Sequence, residues 1–407
     1  MRRRVVITGI GPVAPIGIGR EAFWSAVLAG KRGAAEADFD TSGLPCRRLC
    51  PVTDPDYKAF IPAGRLRRMD RFSRLMYVAA RLAVEDAGLT LSPDHADRAG
   101  MVYSTMLGPI KATVSHLEVL LGQGPDQISS ANFANTVTNA ALAHISIDFN
   151  LKGVSTALVN SNAVGYAADL IAHGKADVVL AGFCDEVEQN IYRSYALLGL
   201  LARAAGDRPE DCFPFSPQSS GPLLGEGAVV LALEALEHAA ARGRQPVAEV
   251  LSWAGAHDPE QTFYITRKDP AGRALAGCLR RALAAAGVDP GQVGFVSGYA
   301  PGAPAADSSE AAALAGAGLG VGSGATVAPL KRLIGETMGA AEGFAAAEAA
   351  LVLRYGQRPG YVDYPTNPDL PIRLATGGPA AGEVRYALAN AAKLGGNTQA
   401  VLLARCG

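Results

Sequence analysis

The sequence predicts an α/β protein built in layers, and three observations lead there. Short runs of aliphatic and β-branched residues alternate from end to end with Ala/Leu-rich stretches of helical spacing, as in layered strands and helices rather than a bundle or a sandwich. The 407 residues are 49% hydrophobic, enough to bury a large core. One stretch also echoes another: LAVEDAGLTLSPDHADRAGMVYSTMLG in the first half is similar to CLRRALAAAGVDPGQVGFVSGYAPG about 200 residues later. Each reads as a helix ending in Ala-Gly, a short polar loop and an apolar strand. Repetition at that length implies two similar halves packed on each other. We place them at 1–240 and 241–407, with no low-complexity linker between them.

Taken in order, strands are expected over Val5–Thr8, Gly100–Tyr103, Val178–Ala181, Val229–Leu233 and Val401–Leu403. Helices are expected over Gly19–Ala29 and Arg71–Ala87, where apolar residues recur at helical spacing, and Gly88 supplies the stop. Residues Arg203–Pro217 form the most loop-like stretch and are expected to cover a cleft.

Composition removes several classes of function. A net charge of −1 offers no electrostatic case for nucleic acid or an anionic membrane. The apolar runs are broken well short of the roughly 18 residues that a membrane span needs. The opening MRRR leads into VVITGIG, which lacks the apolar region of a signal peptide, so a cytoplasmic protein is expected. Six cysteines at 46, 50, 184, 212, 278 and 406 are too sparse for a disulfide framework. Cys46 and Cys50 have no second pair or nearby histidine to complete a zinc site. The six histidines, at 95, 116, 144, 173, 238 and 257, show no metal spacing. No metal and no cofactor of the chain's own is expected.

Four segments carry the functional reading: VSGYAPGAPAADSSE from Val296, KRLIGETMGAAEG from Lys331, GVSTALVNSNAVGYAADLIAHGKADVVLAG around Ser161, and NAAKLGGNT from Asn390. They resemble the motifs of β-ketoacyl synthases, in which VNAHGTSTxxxDxxE and KSxxGHxxGAAG bear two histidines. In those enzymes a cysteine stands at a strand-to-helix turn, and NSFGFGGTN carries a gating phenylalanine. The resemblance extends over nearly the whole chain, through VVITGIGPVAPIGIGREAFWSAVLAGKRG, RRMDRFSRLMYVAARLAVEDAGL and PFSPQSSGPLLGEGAVVLALEALEHAAARG. It implies a thiolase-like fold, five αβαβα layers made of two duplicated halves.

The chemistry of that family is missing here. The histidine positions are Tyr299 and Glu336, the gate is Ala392 with Lys393 beside it, and no cysteine occurs between Cys50 and Cys184. The turn is shortened and holds Asn160, Ser161 and Asn162. A thiolate at a helix N-terminus is activated by the dipole, whereas Ser161 has no histidine to act as its base, and helix capping is the commoner use of such residues. Tyr299 donates a hydrogen bond but is no base near neutrality, and Glu336 would repel a developing oxyanion. The family lysine is retained as Lys331; its usual glutamate, fourteen residues on, is Ala345, and Glu336 and Glu342 are the carboxylates available for a new pair.

Losing nucleophile, both histidines and gate together implies a non-catalytic member. The resemblance is to the chain length factor, or ketosynthase β subunit, of bacterial type II polyketide synthases, with a highly reducing polyene branch preferred. Such a subunit forms a heterodimer with a catalytic ketosynthase and closes the far end of its acyl tunnel. The substrates ride on the phosphopantetheine arm of an acyl carrier protein, the second expected partner. By the same resemblance the strand LKGVSTALV lies at the interface. Asn132, Phe133, Thr136 and Val137 form the tunnel floor and Met106 lines its wall; the alternative for each is an ordinary core residue. Two other readings compete: an enzyme with a rebuilt site, a hydrolase or acyltransferase using Ser161, Tyr299 or Glu336, and a self-associating scaffold.

Overall fold

The computed structural model describes residues 2–91, 93–261, 269–362, 364–393 and 395–406, with 93–95 described by backbone alone; the His95 side chain therefore lies outside the described residues. Its principal strands are β1 (Val5–Ala14), β2 (Ala99–Thr105), β3 (Ser155–Val159), β4 (Val178–Asp185), β5 (Gly227–Ala235), β6 (Ala248–His257), β7 (Val293–Ser297), β8 (Thr326–Ala328), β9 (Tyr386–Ala392) and β10 (Asn397–Ala404). Each expected strand lies inside one of these.

The strands form two five-stranded arrays of the same topology. The first runs β3-β2-β4-β5-β1 and the second β8-β7-β9-β10-β6. In each, the first three strands are parallel and the last two antiparallel. This shared order is the structural form of the echo in the sequence. The arrays are joined edge to edge where Val5–Ile7 pairs with Ala248–Val250, so the hydrogen-bonded path is continuous.

Helices α1 (Arg20–Leu28), α2 (Arg71–Ala87), α3 (Ile110–Gln123), α4 (Ser130–Ala134), α5 (Ala140–Asp148), α6 (Ala163–Ala172), α7 (Gln189–Leu197), α8 (Arg273–Ala286), α9 (Pro304–Gly316), α10 (Lys331–Ile334) and α11 (Ala341–Tyr355) complete the layers. α6 and α11 lie in the middle and touch strands of both arrays. They are buried along most of their length because small residues dominate them. α2 covers the outer face of the first array and α8 that of the second, each with its own hydrophobic cluster. The result is helix, sheet, helix, sheet, helix.

Local chemistry explains the fit. Asp70 caps α2 by accepting from the Ser73 N–H, and Gly88 ends it in the left-handed conformation at φ 58°. β1 comes so close to this helix that a Cβ at Gly11 would stand 2.0 Å from the Ala79 carbonyl oxygen; only glycine fits there. Arg203–Pro217 contains no helix or strand. Its first part is exposed, but residues 210–216 are buried in the body, so much of this stretch is wall and not a loose cover. All six cysteines are free and five are buried, with Cys184 inside β4 as packing. Among the described residues there is no metal-binding cluster and no helix long and apolar enough to cross a membrane.

Candidate functional site

The four motif segments meet where the C-terminal ends of β2, β3, β7 and β9 converge, and what they enclose is nearly full. Met106, Asn160, Tyr195, Pro222, Tyr299, Glu336, Met338 and Lys393 surround a cavity of about 20 Å³. That is roughly room for one water molecule.

The turn after β3 is pinned from several sides. Asn160 adopts φ 50°, a left-handed conformation that asparagine tolerates better than most residues. Its N–H donates to the Thr105 carbonyl at 2.9 Å, and its carbonyl accepts from Asn397 Nδ2 at 2.6 Å and Gln399 Nε2 at 3.2 Å. The Ser161 N–H donates to Ser104 Oγ at 3.0 Å. Asn162 is the cap of α6: its Oδ1 accepts from the Gly165 N–H at 2.7 Å. The capping role thus falls to Asn162 and not to Ser161. No histidine lines the cavity, so the Ser161 hydroxyl has no base there.

The charged residues cancel in two pairs. Lys331 Nζ donates to Glu336 Oε2 at 2.6 Å and lies 3.5 Å from the centroid of the Tyr299 ring, where the negative face of the ring adds to its stabilisation. Glu336 Oε1 accepts from the Met338 N–H at 3.0 Å, at a residue held at φ 52°. Glu342 does not join Lys331. It pairs with Lys393, whose Nζ is 2.8 Å from Oε2. Among the described residues neither oxygen of Glu342 receives a well-directed hydrogen bond, so attraction between the opposite charges is the main force in this pair. Lys393 Nζ also reaches the Ser161 carbonyl at 3.4 Å.

These surroundings disarm the groups that could do chemistry. Burial, and then the carboxylates of Glu336 and Glu310, push the Tyr299 phenol well above its ordinary value, so it stays protonated. Burial raises the Glu342 carboxyl, with Lys393 opposing.

Around the site, three buried carboxylates act as clamps. Glu310 Oε1 accepts from the Tyr299 N–H at 2.7 Å and from Asn390 Nδ2 at 2.8 Å. Asp307 accepts from the N–H groups of Phe215 and Gly302. Asp185 accepts from Thr105 Oγ1 and from the N–H groups of Met106, Leu107 and Gly339 at 2.7–3.0 Å. A Cβ at Gly339 would stand 2.4 Å from Asp185 Oδ2, so glycine is required for that contact. Asp307 and Glu310 stand in the motif from Val296 and were legible there. Asp185, Tyr195 and Pro222 carry no local signal, because only the tertiary fold brings them in.

The expected tunnel residues divide. Met106 is part of the chain's own remnant cavity. Asn132, Phe133 and Val137 are exposed and Thr136 is half-buried, so Phe133 and Val137 are not core residues of this chain. They sit on a segment that packs little on its own body: α3 and α4 contain no buried residue. The Phe133 ring instead contacts His116 at 5.7 Å. β3 is the outermost strand of its array. Among the described residues, seven of the twelve exposed large apolar side chains lie between Leu117 and Tyr166. Such a concentration beside an open sheet edge is characteristic of an interaction surface.

A duplicated αβαβα body in which the four motif segments converge points to a ketosynthase-fold protein, and comparison with known proteins agrees. The sequence model described as Beta-ketoacyl synthase, N-terminal domain, matches residues 2–239, and the one for the C-terminal domain matches 247–364. The chain belongs to the β-ketoacyl synthase family. It is 30% identical over 376 residues to the 3-oxoacyl-[acyl-carrier-protein] synthase 2 of Coxiella burnetii, covering 90% of each chain. It is 28% identical to the enzyme of that name from Synechocystis, covering 97% of this chain and 96% of the other. Among solved structures, the ishigamide ketosynthase/chain length factor superposes with a TM-score of 0.90 at 29% identity over 100% of both chains. A type II acyl-carrier protein complex with its ketosynthase bound to the hexaketide, at 22% identity and TM-score 0.88 over 100% of both chains, shares the fold.

Proposed function

We propose that this chain is the non-catalytic, chain-length-setting subunit of a two-subunit ketosynthase. The observation that carries the reading is the closed remnant site: two ion pairs and a protonated tyrosine surround a cavity of about 20 Å³, which leaves no room for an acyl chain. No cysteine and no histidine line the cavity, so it lacks the thiol nucleophile and the imidazole base that such chemistry uses, and its carboxylate Glu336 is engaged by Lys331. The enzyme-with-a-rebuilt-site reading, through Ser161, Tyr299 or Glu336, is less well supported: Tyr299 is held protonated, Glu336 is paired with Lys331, and no histidine lines the cavity to activate Ser161.

The second subunit would be a catalytic ketosynthase, paired through the β3 edge so that the two arrays continue across a pseudo-two-fold axis. In that arrangement Phe133 and its neighbours on α4 project towards the partner's tunnel, and a bulky apolar side chain there limits product length by excluded volume. The growing chain would be held by the partner and delivered on the phosphopantetheine arm of an acyl carrier protein. The polyene branch is the preferred pathway type, readable from conjugated absorption in the products.

Co-expression with a candidate ketosynthase tests this. The expected result is a one-to-one heterodimer whose condensation of malonyl thioester on carrier protein survives Ser161→Ala and Tyr299→Phe here and is abolished by removing the partner's cysteine. A homodimer that turns over acyl thioesters alone, and loses that activity on Ser161→Ala, would overturn it.

A further inference from the structure

At the far end of α11 from the remnant site lies a second, much roomier concavity. A cleft of about 490 Å³ opens between the loop that enters β6, the last turn of α11 and the end of β10. Its wall includes Arg244, Arg354 and Arg405, and no aspartate or glutamate. Glu342, in the remnant site, and Arg354 are twelve residues apart on one helix, a separation of about 18 Å at 1.5 Å per residue. The cleft is therefore distinct from the acyl site.

The three arginines are incompletely neutralised. Arg354 is exposed, with no hydrogen-bond or ion-pair partner among the described residues. Arg405 Nη1 reaches Glu383 at 3.4 Å, its one ion pair among the described residues, and its side chain is 44% exposed. Arg244 donates to the carbonyl oxygens of Thr8 and Asp86 and shares the Asp86 carboxylate's charge with Arg20, which pairs with it at 2.7 Å, while its Nε is buried without a partner among the described residues. The nearby Glu249 is already held by Arg4 through two hydrogen bonds of 2.8 and 2.6 Å. Arg354 complements the negative end of α11, but that accounts for one of the three cations. Cys406 in the same wall is held protonated, its thiol pushed up to about 11 by burial, so it is no nucleophile.

Like charges gathered around one concavity repel, and a bound polyanion converts that cost into affinity. Guanidinium forks match phosphate oxygens two at a time, and a cleft of this volume lies in the range of small-molecule sites. We propose that it binds a small-molecule di- or triphosphate, with Arg354 and Arg405 as the principal contacts and Arg244 at the base.

Calorimetric titration of the purified protein, in the assembly in which it purifies, with ATP and separately with inorganic pyrophosphate, at physiological salt and without divalent metal, tests the proposal. One saturable site per chain is expected for at least one of them. Arg354→Glu and Arg405→Glu should each weaken it at least about tenfold, whereas Arg193→Glu, the same charge change elsewhere on the surface, should leave it intact. ATP bound in preference to pyrophosphate assigns a nucleoside contact as well; equal binding assigns phosphate recognition only. The proposal is overturned by the absence of saturable binding of either probe at millimolar concentration, or by an equal loss in all three variants.

Discussion

Replacing Lys393 by methionine should destabilise the protein out of proportion to the change in volume. Lys393 and Glu342 have side chains only 5% and 2% exposed, with 2.8 Å between charged atoms. The substitution leaves the carboxylate buried with no counter-charge and no hydrogen-bond donor. Breaking one side of a buried pair costs about 3–5 kcal/mol, whereas replacing both partners with apolar residues of similar volume is often neutral or stabilising. Lys393→Met should therefore lose about 3–5 kcal/mol in urea denaturation near pH 7.5, and Lys393→Met/Glu342→Leu should recover most of it. The coupling in that double-mutant cycle should be on the order of 3 kcal/mol.

The pH dependence supplies an internal check. Burial already raises the Glu342 carboxyl above its ordinary 4.5, and removing the ammonium raises it further. A group whose folded pKa lies above its unfolded one binds more protons in the folded state, so stability is gained as pH falls towards the unfolded value and lost as it rises. The deficit of Lys393→Met should shrink on moving from pH 8 to pH 5. A deficit below about 1 kcal/mol that is independent of pH, beside the 3–5 expected for a broken buried pair, would show that Lys393 does not neutralise a buried carboxylate.

Glu348 offers a second titration. It is fully buried against the Ser297 hydroxyl, and its carboxyl is pushed up to about 8 by desolvation. Between its unfolded value and pH 8 it should cost about 1.4 kcal/mol of stability per pH unit, and Glu348→Gln should flatten the stability profile by one proton; an unchanged slope refutes the assignment. Phe133 is 56% exposed in the isolated chain, so Phe133→Ala should alter the chain's own stability by less than about 0.5 kcal/mol yet lengthen the products of the reconstituted pair. Unchanged product length removes Phe133 from the tunnel. Val159 stands on the open edge strand at 67% exposure, and Val159→Lys should abolish co-purification with the ketosynthase without unfolding the chain. Retained heterodimer would place the interface elsewhere.

The fold was largely legible because its determinants are local. The helix over Arg71–Ala87 has its cap at Asp70, its apolar stripe and its stop at Gly88 all within one stretch. The echo between halves anticipated two arrays of one topology, though not the three-residue pairing that joins them. Such a junction depends on the register of strands more than two hundred residues apart, to which no pattern within either strand points. The site was half legible. Tyr299, Glu336 and the turn at Asn160–Asn162 do converge, but which lysine each glutamate would choose was not. Lys331 and Glu336 are close in sequence, and their pairing was among the options; Glu342 turned to Lys393 from another strand.

That exchange of partners bears on how buried charges are accommodated without collapsing the fold around them. Removing catalytic side chains from a packed interior leaves space, and unfilled space costs stability. Here the volume is taken by Met106, Met338 and the aliphatic stem of Lys393. Each new buried charge arrives with an opposite one, and Lys331 keeps a carboxylate although the family's glutamate is gone. The clamps formed by Asp185, Asp307 and Glu310 hold backbone N–H groups of the surrounding loops. They fix the turn after β2 and the start of α9, and so the frame that carries β3 and the exposed α3–α4 segment. On the proposed reading that frame presents a surface: among the described residues, seven of the twelve exposed large apolar side chains lie between Leu117 and Tyr166, beside the open strand β3.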